Sequence, residues 1–319
     1  MSSTLDEILN KIKESEKIVL LVHENPDGDA IGSGLAMFQA LKNIGKEPDL
    51  VIPKYSRVFS NLPHIDEVVP EGKHEKYDLA ISLDCASISQ LNGWAKYFED
   101  ATTKIVFDHH SSNGMFGDLN FVEHASPACC QTLYQVFKYY NWKIDRDMGI
   151  ALMAGIITDT GGFQYSAVSK ETFAIASELM DLGVNISKIY KDLLSTHTRT
   201  SFDLRKIAMD RMEFLEGGKV TFTYITEEDE KTVNAETGDH EGIVNEGRNI
   251  EGVEVAIFLR EVEGGFKASL RSNEYVNVSD VCLMFGGGGH IRAAGATILS
   301  QNPQEIRDKL LAEIKLQLK

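Results

Sequence analysis

Apolar residues in this chain come in short, dense runs separated by longer amphipathic stretches. The pattern over 5–12 mixes charge with apolar positions and predicts a short amphipathic helix. Residues 18–22, rich in Val, Ile and Leu, predict a buried strand that closes on His23 and the polar turn Glu24-Asn25-Pro26-Asp27-Gly28-Asp29. A helical pattern then runs from near Ala30 to Ile44 and stops at Gly45. The same syllable recurs. Strands are predicted over 49–52, 79–83 and 104–107, the last two closing on Asp84 and on Asp108-His109-His110. Helices are predicted over 127–139, 147–157 and 170–182, the second running into Thr158-Asp159-Thr160-Gly161-Gly162. Apolar strands alternating with helices predict an α/β domain, a parallel sheet with helices on both faces. Ligands of such sheets bind beyond the carboxyl ends of the strands, where these acid- and histidine-bearing turns fall.

The texture changes over 192–216, which is polar and helical with interleaved charges. Beyond Gly217-Gly218, strands are predicted over 220–225, 253–260 and 265–271, and helices over 278–285 and 303–317. The expected organisation is a metal-binding catalytic domain over 1–191, a helical connector over 192–216, and a smaller α+β domain over 217–319. A chain of 319 residues is long enough for two cores.

The formal net charge of −16 is shared by both halves, so neither offers the basic platform that tracking of long duplex nucleic acid requires. A short anionic substrate is compatible with it, because bound cations can reverse the local field. The four cysteines form no C-x-x-C pair, which argues against structural zinc and disulfides and fits a reducing cytoplasm. Residues 1–17 lack a secretory core and the apolar runs are strand-sized, so no membrane partner is expected.

The chemistry concentrates in four pieces: His23-x-x-x-Asp27-x-Asp29, the strand-closing Asp84, Asp108-His109-His110, and Asp159. Each alone reads equally as a helix cap or a surface turn. Together, four carboxylates and several imidazoles suit two divalent ions with a taste for oxygen ligands. Mn²⁺ takes imidazole more readily than Mg²⁺ and is favoured, with Mg²⁺ as the alternative. Cys85 should face away from Asp84 and pack. In the second domain, Gly286 to Gly289 read as a flexible turn whose amides, with His290, could form an anion nest. Arg271, closing a strand, could clamp a phosphate in two places, with a surface ion pair as the plain alternative. Arg260 is a weaker candidate. His64, His74, His124, His197 and His240 lack acid partners at useful spacing and read as surface or packing residues.

In order along the chain, H-x-x-x-D-x-D, Asp84, D-H-H and T-D-T-G-G resemble the DHH phosphoesterase superfamily. Gly286-Gly287-Gly288-Gly289-His290 with Ala293-Ala294-Gly295 is similar to its companion DHHA1 domain. The resembling subgroup is that of bacterial oligoribonuclease/pAp phosphatases and standalone dinucleotide phosphodiesterases. The resemblance implies that His23 and Asp27 hold one metal and that Asp29, His109 and Asp159 hold the other, with Asp84 bridging. It further implies that Asp108 orients His109 and that His110 faces the scissile phosphate. Arg271, Gly287, Gly288, Gly289 and His290 would grip the terminal phosphate or first nucleotide across a cleft, a ruler favouring very short substrates. Gln164 departs from the pattern, since relatives often carry a basic residue there. The implied partners are a short oligoribonucleotide or small nucleotide such as pAp, and a second copy of the chain in a homodimer. Hydrolysis of cyclic di-AMP is the alternative activity, and a metal-containing nucleotide sensor is the non-enzymatic one.

Overall fold

A computed structural model describes residues 2–319. The chain forms two compact units, Met1–Thr196 and His197–Lys319. The first begins with helix α1 (Ser2–Glu14), strand β1 (Ile18–Leu21), α2 (Gly28–Asn43), β2 (Asp49–Val51), β3 (Leu79–Leu83), α3 (Ala95–Glu99) and β4 (Thr103–Asp108). It continues with β5 (Leu119–Val122), α4 (Cys129–Tyr139), α5 (Arg146–Asp159), α6 (Lys170–Asp181) and α7 (Ile186–Tyr190). The five strands pair in parallel in the order β2-β1-β3-β4-β5.

Alternation along each strand sends residues to opposite faces. Ile18, Leu20, Ile81, Leu83, Ile105 and Phe107 join α1, α2, α4 and α5 in the main core. Val19, Leu21, Ala80 and Val106 face a smaller cluster with Tyr77, Leu91 and Phe98. Helices cover both faces as the pattern predicts, but unequally. Among the described residues, the helical cover of the second face is α3 and the 3₁₀ turn Ile88–Trp94. Strand β5 was not predicted: only Phe121 of its residues is buried, so it lacks the apolar run of the others.

The order places β1, β3 and β4 side by side, so His23, Asp84 and Asp108-His109-His110 leave adjacent strand ends. The chain departs to β2 on one side of β1 and returns to β3 on the other. That is the topological switch at which such sheets bind ligands.

The second unit comprises α8 (Arg199–Asp210), β6 (Glu213–Leu215), β7 (Val220–Ile225), α9 (Glu227–Val233), α10 (Ile243–Arg248), β8 (Val255–Val262), β9 (Gly265–Ser272), α11 (Val278–Leu283), β10 (Gly288–His290), β11 (Ala293–Ile298) and α12 (Pro303–Lys315). Its mixed sheet runs β10-β11-β9-β8-β7-β6. One face packs on α11 and α12. On the other, Leu204 and Ala208 of α8 meet Ile225, Ile243, Ala256 and Phe258. Among the described residues no helix is long and apolar enough to cross a membrane.

Candidate metal centre

The site is built from three strand ends and two helix ends. Asp27 is the N-cap of α2, and its Oδ1 accepts the amides of Asp29 and Ala30 at 3.0 and 3.1 Å. The same oxygen lies 3.9 Å from His23 Nε2, which is also 3.9 Å from Asp84 Oδ2. The cap reading and the ligand reading therefore coexist in one side chain. Asp84 follows β3 with φ of +56°, a left-handed conformation that Asp tolerates better than most residues. Cys85 is fully buried on the smaller-cluster face, as expected of a packing residue.

His109 donates Nδ1–H to the carbonyl of Ser126 at 3.1 Å. Its Nε2 is thereby aimed at Asp159 Oδ2 (3.2 Å), Asp84 Oδ1 (3.4 Å) and Asp29 Oδ2 (3.7 Å). Asp159 is the last residue of α5, so it arrives from a helix end. Asp29 is wholly buried, and its two oxygens accept the first amides of α4, Cys129 N at 2.5 Å and Cys130 N at 2.9 Å. A carboxylate at a helix N-terminus is well placed electrostatically. Nothing in the sequence pairs Asp29 with residues a hundred positions away, so this bond was not anticipated.

One expectation is corrected. Asp108 does not orient His109. Its Oδ1 accepts His110 Nδ1–H at 2.7 Å and its Oδ2 accepts Asn113 Nδ2–H at 2.6 Å. The reason is local: His109 Nδ1 is taken by Ser126 O, while His110 Nδ1 lies within hydrogen-bond distance of Asp108.

The electrostatics call for positive charge. Burial, then the charges of Asp84 and Asp159, push Asp29 well above the usual carboxylate range. Burial likewise lifts Asp159 to about 6 against the pull of His109. Burial also opposes ionisation of Asp84, but the imidazoles of His109, His110 and His23 outweigh it and hold its carboxyl low. His110 rises to about 9, because its bond to Asp108 and the charge of Asp84 outweigh desolvation. Asp84 Oδ1 is buried and accepts no hydrogen bond, a costly state that a cation would relieve. His23, Asp27 and Asp84 bring ligand atoms within 4.8 Å of one another, and so do Asp29, His109 and Asp159. The donor set, oxygen with some imidazole, fits hard divalent ions.

In the second unit, Arg271 stands opposite Ala256 on β8 and Ala293 on β11, and Ala293 stands opposite His290 on β10. Directly opposed residues share a face, so Arg271 and His290 flank a small residue on one row. The glycine run is not the flexible nest expected. Gly286 and Gly287 give their amides to Leu283 O (3.1 Å) and Cys282 O (2.9 Å), closing α11, and Gly288 to His290 form β10. A Cβ on Gly289 would lie 2.7 Å from Ala294 Cα, so close strand approach demands glycine there. Arg260 approaches Glu230 Oε1 at 3.4 Å. His64, expected to lack acid partners, sits 2.6 Å from Glu67 Oε1 and 3.6 Å from Asp147 Oδ2, the second of which only folding brings near.

A parallel sheet with acids and imidazoles converging at its switch point defines a candidate site for divalent cations. The chain belongs to the DHH family: residues 17–156 match the DHH family N-terminal domain and 217–318 match the DHHA1 domain. It is 30% identical over 304 residues to the bifunctional oligoribonuclease and PAP phosphatase NrnA of Thermus thermophilus, covering 94% of this chain and 90% of that one. It is 24% identical to the cyclic-di-AMP phosphodiesterase PdeA of Listeria monocytogenes, of which it spans 48%. An exopolyphosphatase-related protein from Bacteroides fragilis has the same fold, with a TM-score of 0.90, 22% identity, and coverage of 99% of this chain and 98% of that one. The chain is a hydrolase of phosphoesters.

Proposed function

We propose that this protein hydrolyses short oligoribonucleotides such as pApA to mononucleotides, and removes the 3′ phosphate of pAp, using two Mn²⁺ ions. The observation that carries this is the pair of ligand groups, His23-Asp27-Asp84 and Asp29-His109-Asp159, converging at one sheet edge. The similarity to an oligoribonuclease and PAP phosphatase over nearly the whole chain supports the substrate class. His23 and Asp27 would hold one ion and Asp29, His109 and Asp159 the other, with Asp84 available to both. Mg²⁺ is a workable substitute.

Two such ions, when bound, supply Lewis-acid polarisation and lower the pKa of a nearby water. The protein's own part is positional. Ser126 O fixes the ring of His109 so that Nε2 faces the acids. Asp108 holds His110 through Nδ1. A protonated His110 thus turns Nε2–H to the scissile phosphate, where it stabilises developing negative charge. Labour divides along the chain. Residues 1–191 carry the chemistry, and because α8 and β6 pack with the second unit the join falls near Thr196 and not across the whole of 192–216. Within 217–319, Arg271, His290 and the glycines Gly287, Gly288 and Gly289 bind a substrate phosphate.

The test is AMP release from pApA with Mn²⁺, compared with pAp, a long single strand and cyclic di-AMP. Release from pApA far above the long strand supports the reading, and equal rates on the two contradict it. Asp84→Ala should abolish turnover while leaving a cooperative melt, whereas retained activity would remove Asp84 from its spanning role. The similarity to PdeA makes cyclic di-AMP hydrolysis the second reading, favoured if that substrate outpaces pApA.

A further inference from the structure

Five residues beyond Asp108 lies Asn113, a residue that neither the sequence pattern nor the ligand set accounts for. Its Nδ2 donates two hydrogen bonds, to Asp108 Oδ2 at 2.6 Å and to Cys85 O at 2.9 Å. Its Oδ1 accepts the amide of Met115 at 2.7 Å, and its own amide donates to His110 O at 3.1 Å. The next amide, of Gly114, donates to Ala86 O at 3.1 Å. The turn after D-H-H is thus stitched to the two residues that follow Asp84, where the backbone leaves β3 through its left-handed kink.

Only an uncharged amide serves there. The two acceptors it bridges are a carboxylate and a carbonyl, so the group between them must carry two hydrogens on one atom. An Asp of the same shape would set a carboxylate against both. A Leu would leave Asp108 Oδ2, in a side chain with no exposure, without that bond.

We propose that Asn113 is a positioning residue for the phosphoester chemistry, a clamp that holds the Asp84 corner and the Asp108–His110 pair in one geometry. The proposal rests on the functional reading above for its kinetic consequence only. His110 Nδ1 lies 2.7 Å from Asp108 Oδ1 and 3.6 Å from Asp84 Oδ1. Asn113, bonded to the other oxygen of Asp108 and to the residue after Asp84, keeps His110 paired with Asp108 rather than with Asp84.

The test compares Asn113→Ala and the isosteric Asn113→Asp with wild type. With Mn²⁺ and pApA, Asn113→Ala should lower kcat about 10–100-fold, as loss of outer partners of such sites does, while KM changes little. Asn113→Asp should be slower still, whereas a space-filling residue would make it close to wild type. The second readout needs no activity: the His110 Nδ1 proton in ¹⁵N-histidine NMR spectra of the wild-type protein. A downfield, exchange-protected signal that is lost or shifted in Asn113→Ala supports the clamp. Absence of that signal in wild type, or wild-type kcat for Asn113→Asp, overturns it. If wild type turns over no phosphoester, the functional reading fails while the NMR comparison still decides the clamp.

Discussion

At the scale of single residues, the site stores repulsion in the absence of cations. Asp159 is the clearest case: its carboxyl is raised to about 6, burial being the largest cause. A raised folded value means that the charged form costs stability above the unfolded value, roughly 3.9. In EDTA at pH 7, Asp159→Asn should therefore raise stability in urea melts. The gain should fade below about pH 4, where wild-type Asp159 is protonated in both states. With Mn²⁺ the sign should reverse, because the variant loses a ligand. A fall in stability in EDTA would show that Asp159 is held by something other than a cation. Asp159 and its companions were marked by occurring together at strand and helix ends, since each alone reads equally as a cap or a turn. That pattern did not mark Asn113 or Ser126. One acts through an amide that any loop could carry, and the other through a backbone carbonyl that has no sequence signature.

Elements position these residues through two kinds of contact. Helices α2 and α5 approach closely enough that a Cβ on Gly155 would meet Cys130 Sγ and Asp29 Oδ1. Gly155→Ala should cost about 1–3 kcal/mol as an overpacking change. Because it displaces Asp29, it should also weaken Mn²⁺ binding by calorimetry; destabilisation with unchanged affinity would separate packing from the site. The edge strand β2 is held by Asp49, a buried carboxylate that accepts Tyr77 Oη–H at 2.6 Å and the Lys73 amide at 2.9 Å, with Lys73 Nζ at 3.1 Å. Burial works against its ionisation, but these donors outweigh it and hold its carboxyl low. The resulting stability is present above the unfolded value and is lost as pH falls through the folded one. Tyr77→Phe should cost about 1.5–3 kcal/mol at pH 7, and the gap to wild type should narrow below about pH 4. A gap independent of pH would assign the loss to packing. The pattern of apolar runs revealed β1 to β4 and the long helices. It missed β5, β6, β10 and β11, which are short, glycine-bearing or half-exposed and owe their conformation to a neighbouring strand.

For the whole molecule, the two units have separate cores, one around the parallel sheet and one around the mixed sheet. All six candidate ligands lie within Met1–Thr196, so that segment expressed alone should bind Mn²⁺ with the affinity of the full chain within about tenfold, or 1.4 kcal/mol. A larger loss by calorimetry would mean that the second unit helps to hold the ions. The sequence by itself determined which residue types carry the chemistry, the alternation of strands and helices, and the presence of two units. These follow from local periodicity and from the cost of placing acids at the ends of apolar runs. Only the tertiary structure decided which partner each group takes. Asp29 spans to the amides of α4, Asp108 turns to His110 instead of His109, and the glycine run closes a helix and opens a strand. The physical reason is the same throughout. A hydrogen bond or close backbone approach between distant segments depends on strand order and side-chain direction, and neither is written in the spacing of residues along one chain.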